Sequence, residues 1–217
     1  VADPKLLGKA VWAYAEKFGA RFEKACVEHI GAGPAGAVLT LAGGAECRAA
    51  TVVLAAGAWS HLLAKELGDA VPLETERGYN TTLPSSAFDV RRQLIFGGHG
   101  FVVTPLSTGL RVGGAVELGG VGRPPNYARS KALLAKAQRF LPGLKAEGGR
   151  EWMGFRPSLP DSRPVIGRAG RHRAVIYAFG HGHLGLTQGA ATGRLIRDLV
   201  QEQTPALDLS PFSPRRF

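Results

Sequence analysis

Arg156 stands between a short apolar run and a proline, in Gly154-Phe155-Arg156-Pro157. Proline pushes the residue before it toward extended backbone, which holds this side chain off the flexible surface. A guanidinium is a planar fork that grips a carboxylate through two parallel bonds, and an ammonium cannot reproduce that geometry. Pairing with a loop acid such as Asp161 is the competing use of the same charge. Arg163, beside Pro164, reads as a surface or structural residue. Further on comes Gly180-His181-Gly182-His183-Leu184-Gly185, between an apolar run and a long helical pattern. A helix mouth carries partial positive charge and unpaired N–H groups. It suits a phosphate, or the pyrimidine edge of a reduced flavin, where negative charge collects.

The helix after that turn carries Gly185, Gly189 and Gly193 at four-residue intervals. Each interior glycine costs about 0.5–1 kcal/mol relative to alanine. Three on one face predict that a sheet backbone or a flat ligand presses against it, so alanine there should destabilise. His181 and His183 lack a third ligand at metal-binding spacing, and no metal is expected. His183 reads as a packing or hydrogen-bonding residue, whereas His181 is placed to line the edge of a ligand at the turn.

These residues need a framework, and the chain supplies a broken one. Asp3 as N-cap, Pro4 in the first turn and Leu6, Leu7, Ala10, Val11 and Tyr14 at helical spacing predict a helix over 4–18, ended by Gly19. Strands are expected over 21–30, 37–41 and 51–56, then a helix over 58–67 closed by Gly68. From Tyr79 the texture becomes short strands joined by Gly, Ser and Pro turns: 80–83, 93–96, 100–104 and 110–116. A helix over 128–140 ends at Pro142-Gly143, and 150–155 reads as a strand. An apolar strand over 174–179 then leads into a helix running to about Gln203. The expected architecture is mixed α/β (α+β), with an antiparallel-sheet domain over 79–149 interrupting an α/β domain made of 1–78 and 150–205. Residues 206–217 read as a loose tail.

The 217 residues are 45% hydrophobic and 20% charged, a globular composition with many turns. No apolar run reaches the roughly 18 residues of a membrane span. Cys26 and Cys47 are too few for a disulfide framework, and both are expected as buried or half-buried thiols in a reducing cytoplasm. The formal charge of +10 favours anionic partners, but the basic residues are scattered and no nucleic-acid recognition signature interleaves them. A cytoplasmic location is therefore expected, with peripheral attraction to an anionic membrane surface left open and no specific nucleic-acid partner.

Gly31-Ala32-Gly33-Pro34-Ala35-Gly36 matches a dinucleotide fingerprint, yet a strand and the Gly43-Gly44 turn follow it where a helix is required. It is predicted to be a β-hairpin. The match at Gly180–Gly185 does open a helix, but no further strand with a ribose-binding acid follows it.

Val52-Val53-Leu54-Ala55-Ala56-Gly57-Ala58-Trp59-Ser60, Arg77-Gly78-Tyr79, Gly154-Phe155-Arg156-Pro157 with Asp161–Gly167, and Gly180–Gly193 occur in an order and spacing that resembles one family. It is the D-amino-acid oxidase/dehydrogenase-like family of FAD-dependent amine oxidoreductases, with the nearest likeness to bacterial D-amino-acid dehydrogenases and glycine-oxidase-like enzymes. The resemblance implies that Val27, Ala56, Gly57 and Trp59 lie along FAD, with Val27 near its adenine. It implies that His181, Gly182, His183, Leu184 and Gly185 border the flavin ring. Arg156 is implied to hold the substrate carboxylate, with Tyr79 as a further residue of the catalytic pocket. The implied reaction moves hydride from the Cα of a small amino acid to the flavin, and water converts the imino acid to a 2-oxo acid and ammonia. The family's N-terminal fingerprint is missing from these residues. FAD is therefore expected in the complete enzyme but held weakly or not at all by this chain alone, and the alternatives are a non-catalytic fragment or one subunit of a split enzyme whose partner carries the N-terminal FAD-binding half.

Overall fold

Asp3 caps the first helix as its sequence predicts, accepting hydrogen bonds from the backbone of Lys5 (2.8 Å) and Leu6 (3.3 Å). The computed structural model describes residues 3–217. Helix α1 (Pro4–Glu16) buries no residue, and its apolar positions Leu6, Val11 and Tyr14 are exposed. Gly19, at φ +85°, sits in the left-handed conformation that follows many helix ends.

Strands β1 (Val27–Gly33), β2 (Gly36–Leu41) and β3 (Glu46–Ala49) form an antiparallel meander. Gly33 pairs with Gly36 across Pro34-Ala35, so the first apparent fingerprint is a hairpin tip. The expectation of buried thiols is not met: Cys26 and Cys47 are both exposed. Cys26 precedes β1, and Cys47 lies on an edge strand whose Glu46, Cys47 and Arg48 are all exposed. Strand β4 (Val52–Leu54) then leads through a 3-10 turn, Gly57–Trp59, into helix α2 (Ser60–Glu66).

Strand β5 (Glu74–Leu83) is longer than the sequence predicts. It joins β6 (Leu94–Phe96), β7 (Phe101–Leu106), β8 (Gly109–Leu118) and β9 (Arg150–Ser158) in a five-stranded sheet of order β6-β7-β8-β5-β9. Helix α3 (Ala128–Phe140) packs on it through Ala137, and Leu83, Phe101, Val103, Leu110 and Val112 form the core beneath. The register shifts between Tyr79 and Asn80, where Gly114 of β8 is the extra residue, at φ +150°. A side chain there would collide with the carbonyl of Gly100, so only glycine serves this bulge. Pro157 falls inside β9, which is an edge strand and tolerates a missing donor.

Strands β10 (Val165–Arg168) and β11 (Val175–Phe179) are antiparallel neighbours, and β11 pairs parallel with β4, Tyr177 opposite Leu54. Helix α4 (Gly185–Val200) follows β11. The tail is not loose. Residues 210–212 and 214–216 form 3-10 turns, and Arg216 grips the Asp161 carboxylate at 2.7 and 3.2 Å. Arg216 also donates to the carbonyl of Arg163 at 2.6 Å, and Pro214 is buried. Proline content suggests looseness only where no partner exists, and here a bidentate charge pair ties the segment down.

The chain divides into two compact units, Val1–Phe22 with Glu76–Phe155, and Glu23–Thr75 with Arg156–Phe217. The first helix groups with the antiparallel unit, although the sequence assigned 1–78 to the other part. Because α1 buries nothing, no core packing marks it as part of the α/β unit. No helix among the described residues is long and apolar enough to cross a membrane.

Candidate functional site

The second unit places two loops side by side. β4 and β11 are adjacent and parallel, so the residues leaving their carboxyl ends emerge at one edge of the sheet. From β4 this is Ala55-Ala56-Gly57, and from β11 it is Gly180–Leu184. The crevice at the carboxyl ends of parallel strands is where open α/β sheets bind ligands.

Each loop has a physical reason for its shape. Gly57 adopts φ +56°, and a Cβ there would meet nothing within 4 Å, so its glycine serves conformation and leaves the surface bare. Trp59 is 48% exposed at the end of the same turn, with Ala56 exposed and Ala58 buried beneath. Gly180 has φ +84°, and a Cβ there would lie 2.5 Å from Leu159 Cδ1. Gly182 has φ +51°. Its N–H donates to the carbonyl of Pro157 at 2.8 Å. That bond brings the segment after Arg156 to the turn before α4, uniting two motifs that the sequence named separately. Arg156 is half-buried. The Asp161 carboxylate is bound by Arg216.

No side chain caps α4, so the N–H groups of its first turn face outward from Leu184 and Gly185, both exposed. His183 is also exposed. His181 turns inward, its Nε2 lying 2.9 Å from Thr192 Oγ1 one helical stretch away. Burial pushes its pKa below the usual 6.5, so the ring is neutral near pH 7. The linkage has a definite sign. A histidine whose folded pKa is depressed binds fewer protons folded than unfolded, so stability falls as pH drops below about 6.5 toward the lower folded value. Melting midpoints between about pH 7.5 and 5.5 should show this decline, and His181→Gln should flatten part of it. An equal decline in the variant would remove His181 as its source.

The glycine stripe corrects an expectation. Gly185, Gly189 and Gly193 are exposed; a Cβ at Gly189 or Gly193 would meet nothing within 4 Å, and one at Gly185 would meet only His181 Cβ at 3.6 Å. No sheet backbone presses on this face among the described residues. Val27, expected near the same ligand, opens β1 in the other sheet of this unit.

Tyr79, expected as a residue of the catalytic pocket, lies in strand β5. It is 1% exposed in the antiparallel unit, and its hydroxyl donates to Glu117 at 2.5 Å while accepting from the Asn126 N–H at 3.1 Å. Arg77, also 1% exposed, reaches Glu117 at 3.3 Å and donates to the carbonyls of Arg123 and Pro124 at 2.8 and 2.9 Å. Arg129 approaches the same carboxylate at 3.4 Å. The Tyr79 hydrogen bond, with both arginines, holds the Glu117 pKa below the usual carboxylate value. The cluster braces the loop after β8. Sequence reading missed Glu117, whose signal was register: Arg77 and Glu117 are direct cross-strand partners, visible only once β5 and β8 are paired.

Comparison with known proteins fits this geometry. Residues 1–199 match the family described as "DAO: FAD dependent oxidoreductase". The chain is 41% identical over 185 residues to a D-amino-acid oxidase of Bradyrhizobium diazoefficiens, covering 83% of this chain and 44% of that protein. It is 35% identical to a D-amino acid dehydrogenase of Paramagnetospirillum magneticum, covering 78% of this chain and 41% of the relative. The crystal structure of glycine oxidase from Geobacillus kaustophilus superposes with a TM-score of 0.85 at 26% identity, covering 99% of this chain and 58% of that one. The chain thus spans less than half the length of these two curated relatives.

Proposed function

The chain belongs to the DAO family of FAD-dependent oxidoreductases, and from that premise we propose that it is the C-terminal part of an enzyme oxidising a D-amino acid or related small amino acid. The observation that carries the reading is the Gly182–Pro157 hydrogen bond, which sets the Arg156 segment against the turn at the carboxyl edge of β4 and β11. Arg156 is the carboxylate anchor, its fork fixing the orientation of the substrate. Such positioning supplies much of the rate, because the reacting carbon is held where transfer occurs. FAD, when bound, supplies the acceptor for the hydride leaving Cα. The amine enters unprotonated, so the chain needs no general base, and water then hydrolyses the released imino acid to the 2-oxo acid and ammonia.

The residues fit the flavin end of such a cofactor. Ala56, Gly57 and Trp59 on one loop and His181, Gly182, His183, Leu184 and Gly185 on the other would hold it. The bare backbone at Gly57, the open Gly189 and Gly193 face and the uncapped mouth of α4 leave space and donors for a flat, electron-rich group. Neutral His181 adds no charge of its own. Val27 belongs to the proposal as the adenine-side residue. A pyrophosphate cradle is a different matter, because Gly31–Gly36 is a hairpin and cannot present a helix N-terminus to phosphates.

The expected result is that this chain alone binds FAD weakly or not at all. Absorbance of the purified chain and an FAD titration check it, and a yellow preparation with stoichiometric FAD would overturn the assignment of phosphate binding to another segment. A second reading follows from the 44% coverage of the relative: activity requires a polypeptide segment carrying the dinucleotide-binding half. Adding such a half and assaying a panel of D-amino acids with oxygen and quinone acceptors tests both. Ammonia release from none of them would end the amino-acid reading. A cytoplasmic site of action, with peripheral contact to an anionic membrane through the basic surface, completes the proposal.

A further inference from the structure

At the opposite edge of the same sheet, where β4 and β11 begin, lies a cavity of about 690 Å³ that the flavin reading does not use. One wall is the hairpin tip around Pro34, apolar and built of small residues. The other is the turn between β10 and β11, where Arg171, His172 and Arg173 follow one another, with Arg168 and Glu202 alongside.

The charges on this wall are not balanced. Arg168 is committed: it donates to the carbonyls of Arg173 and Leu199, both at 2.6 Å, and lies 3.8 Å from Glu202, the one acid lining the cavity. Asp69 is near in the fold but is spent on the Gly170 N–H and the Tyr177 hydroxyl, both at 2.8 Å. Among the described residues, neither the Arg171 nor the Arg173 guanidinium has an acceptor or an ion-pair partner. The turn that carries them is nonetheless stiff. Asp69 holds the N–H of Gly170, Arg215 donates to its carbonyl, and the Arg171 side chain, from Cδ to the guanidinium carbon, lies against Gly68. Two like charges held on a braced turn beside an open cavity repel each other, and an anion with several oxygens relieves that repulsion while satisfying both forks.

We propose that this cavity is a binding site for the phosphate group of a small soluble anion, bound by Arg171 and Arg173 with His172 between them. The argument stands on the geometry of the turn alone and is independent of the flavin reading, whose loops leave the other ends of the same strands.

Calorimetric titration of the chain with inorganic phosphate and pyrophosphate tests it, at ionic strength held constant with potassium chloride. The expected result is saturable one-to-one binding, reduced about tenfold or more in Arg171→Gln/Arg173→Gln and unchanged in Arg139→Gln on the exposed face of α3. Circular dichroism verifies that the double variant is folded, and each single variant should show a smaller loss in the same direction. Absence of saturable binding, or equal binding by the double variant, overturns the site. Binding to phosphatidic-acid vesicles without binding to free phosphate overturns its assignment to a soluble ligand.

Discussion

Replacing Arg156 with lysine is expected to lower kcat/KM for D-amino acids about a hundredfold in the complete enzyme, or roughly 2.7 kcal/mol of transition-state stabilisation. Lysine keeps the charge, so a purely electrostatic role would be largely preserved. What it loses is the second parallel bond and the plane that fixes the carboxylate. The backbone here is already restricted, because Arg156 precedes Pro157 in edge strand β9 and the Pro157 carbonyl is held by Gly182. A flexible ammonium on that rigid stem cannot recover the lost geometry by moving the chain. The loss should fall on both kcat and KM, since a misoriented carboxylate binds less well and presents Cα badly. Steady-state kinetics of Arg156→Lys and Arg156→Met, with FAD content measured alongside, separate this from a cofactor defect. Wild-type kinetics in the lysine variant would place the anchor on another residue.

The parts of the fold legible in the sequence were those governed by local chemistry. Asp3-Pro4 announced α1, the Pro34-Ala35 hairpin was separable from a true fingerprint by what followed it, and α3 was read to its observed ends. Arg156 and the Gly180–Gly185 turn were both singled out, but only the long-range bond from Gly182 to Pro157 joins them, and no spacing rule encodes it. Glu117 was invisible for the same reason, since its meaning depends on lying opposite Arg77. The tail misled because its proline content is local, whereas the Asp161–Arg216 pair that fixes it spans most of the second unit's later half. The glycine stripe misled in the opposite way as to a sheet backbone pressed against it, which is absent among the described residues. Periodicity placed the three glycines on one helix face, but it carries no information about what covers that face.

That stripe and the turn before it make one substitution take opposite signs. Gly180→Ala should destabilise this chain by about 2–4 kcal/mol: about 1–2 for left-handed backbone in a residue with a Cβ, and the rest from overpacking. The added methyl would lie 2.5 Å from Leu159 Cδ1, and Leu159 is itself buried in the core with Val165 and Phe179. The backbone, at φ +84°, strains any residue with a Cβ, and Leu159 must shift within a buried core to admit the methyl. Gly189→Ala meets nothing within 4 Å on an α-helix, so it should gain the propensity difference of about 0.5–1 kcal/mol. Melting midpoints of the two single variants therefore move apart. If flavin lies along this face, as proposed, the gain at Gly189 comes with weaker FAD binding once the dinucleotide-binding half is supplied. A higher midpoint for Gly180→Ala would mean the turn is not locked against Leu159. A lower one for Gly189→Ala would mean that the α4 face is covered even in this chain.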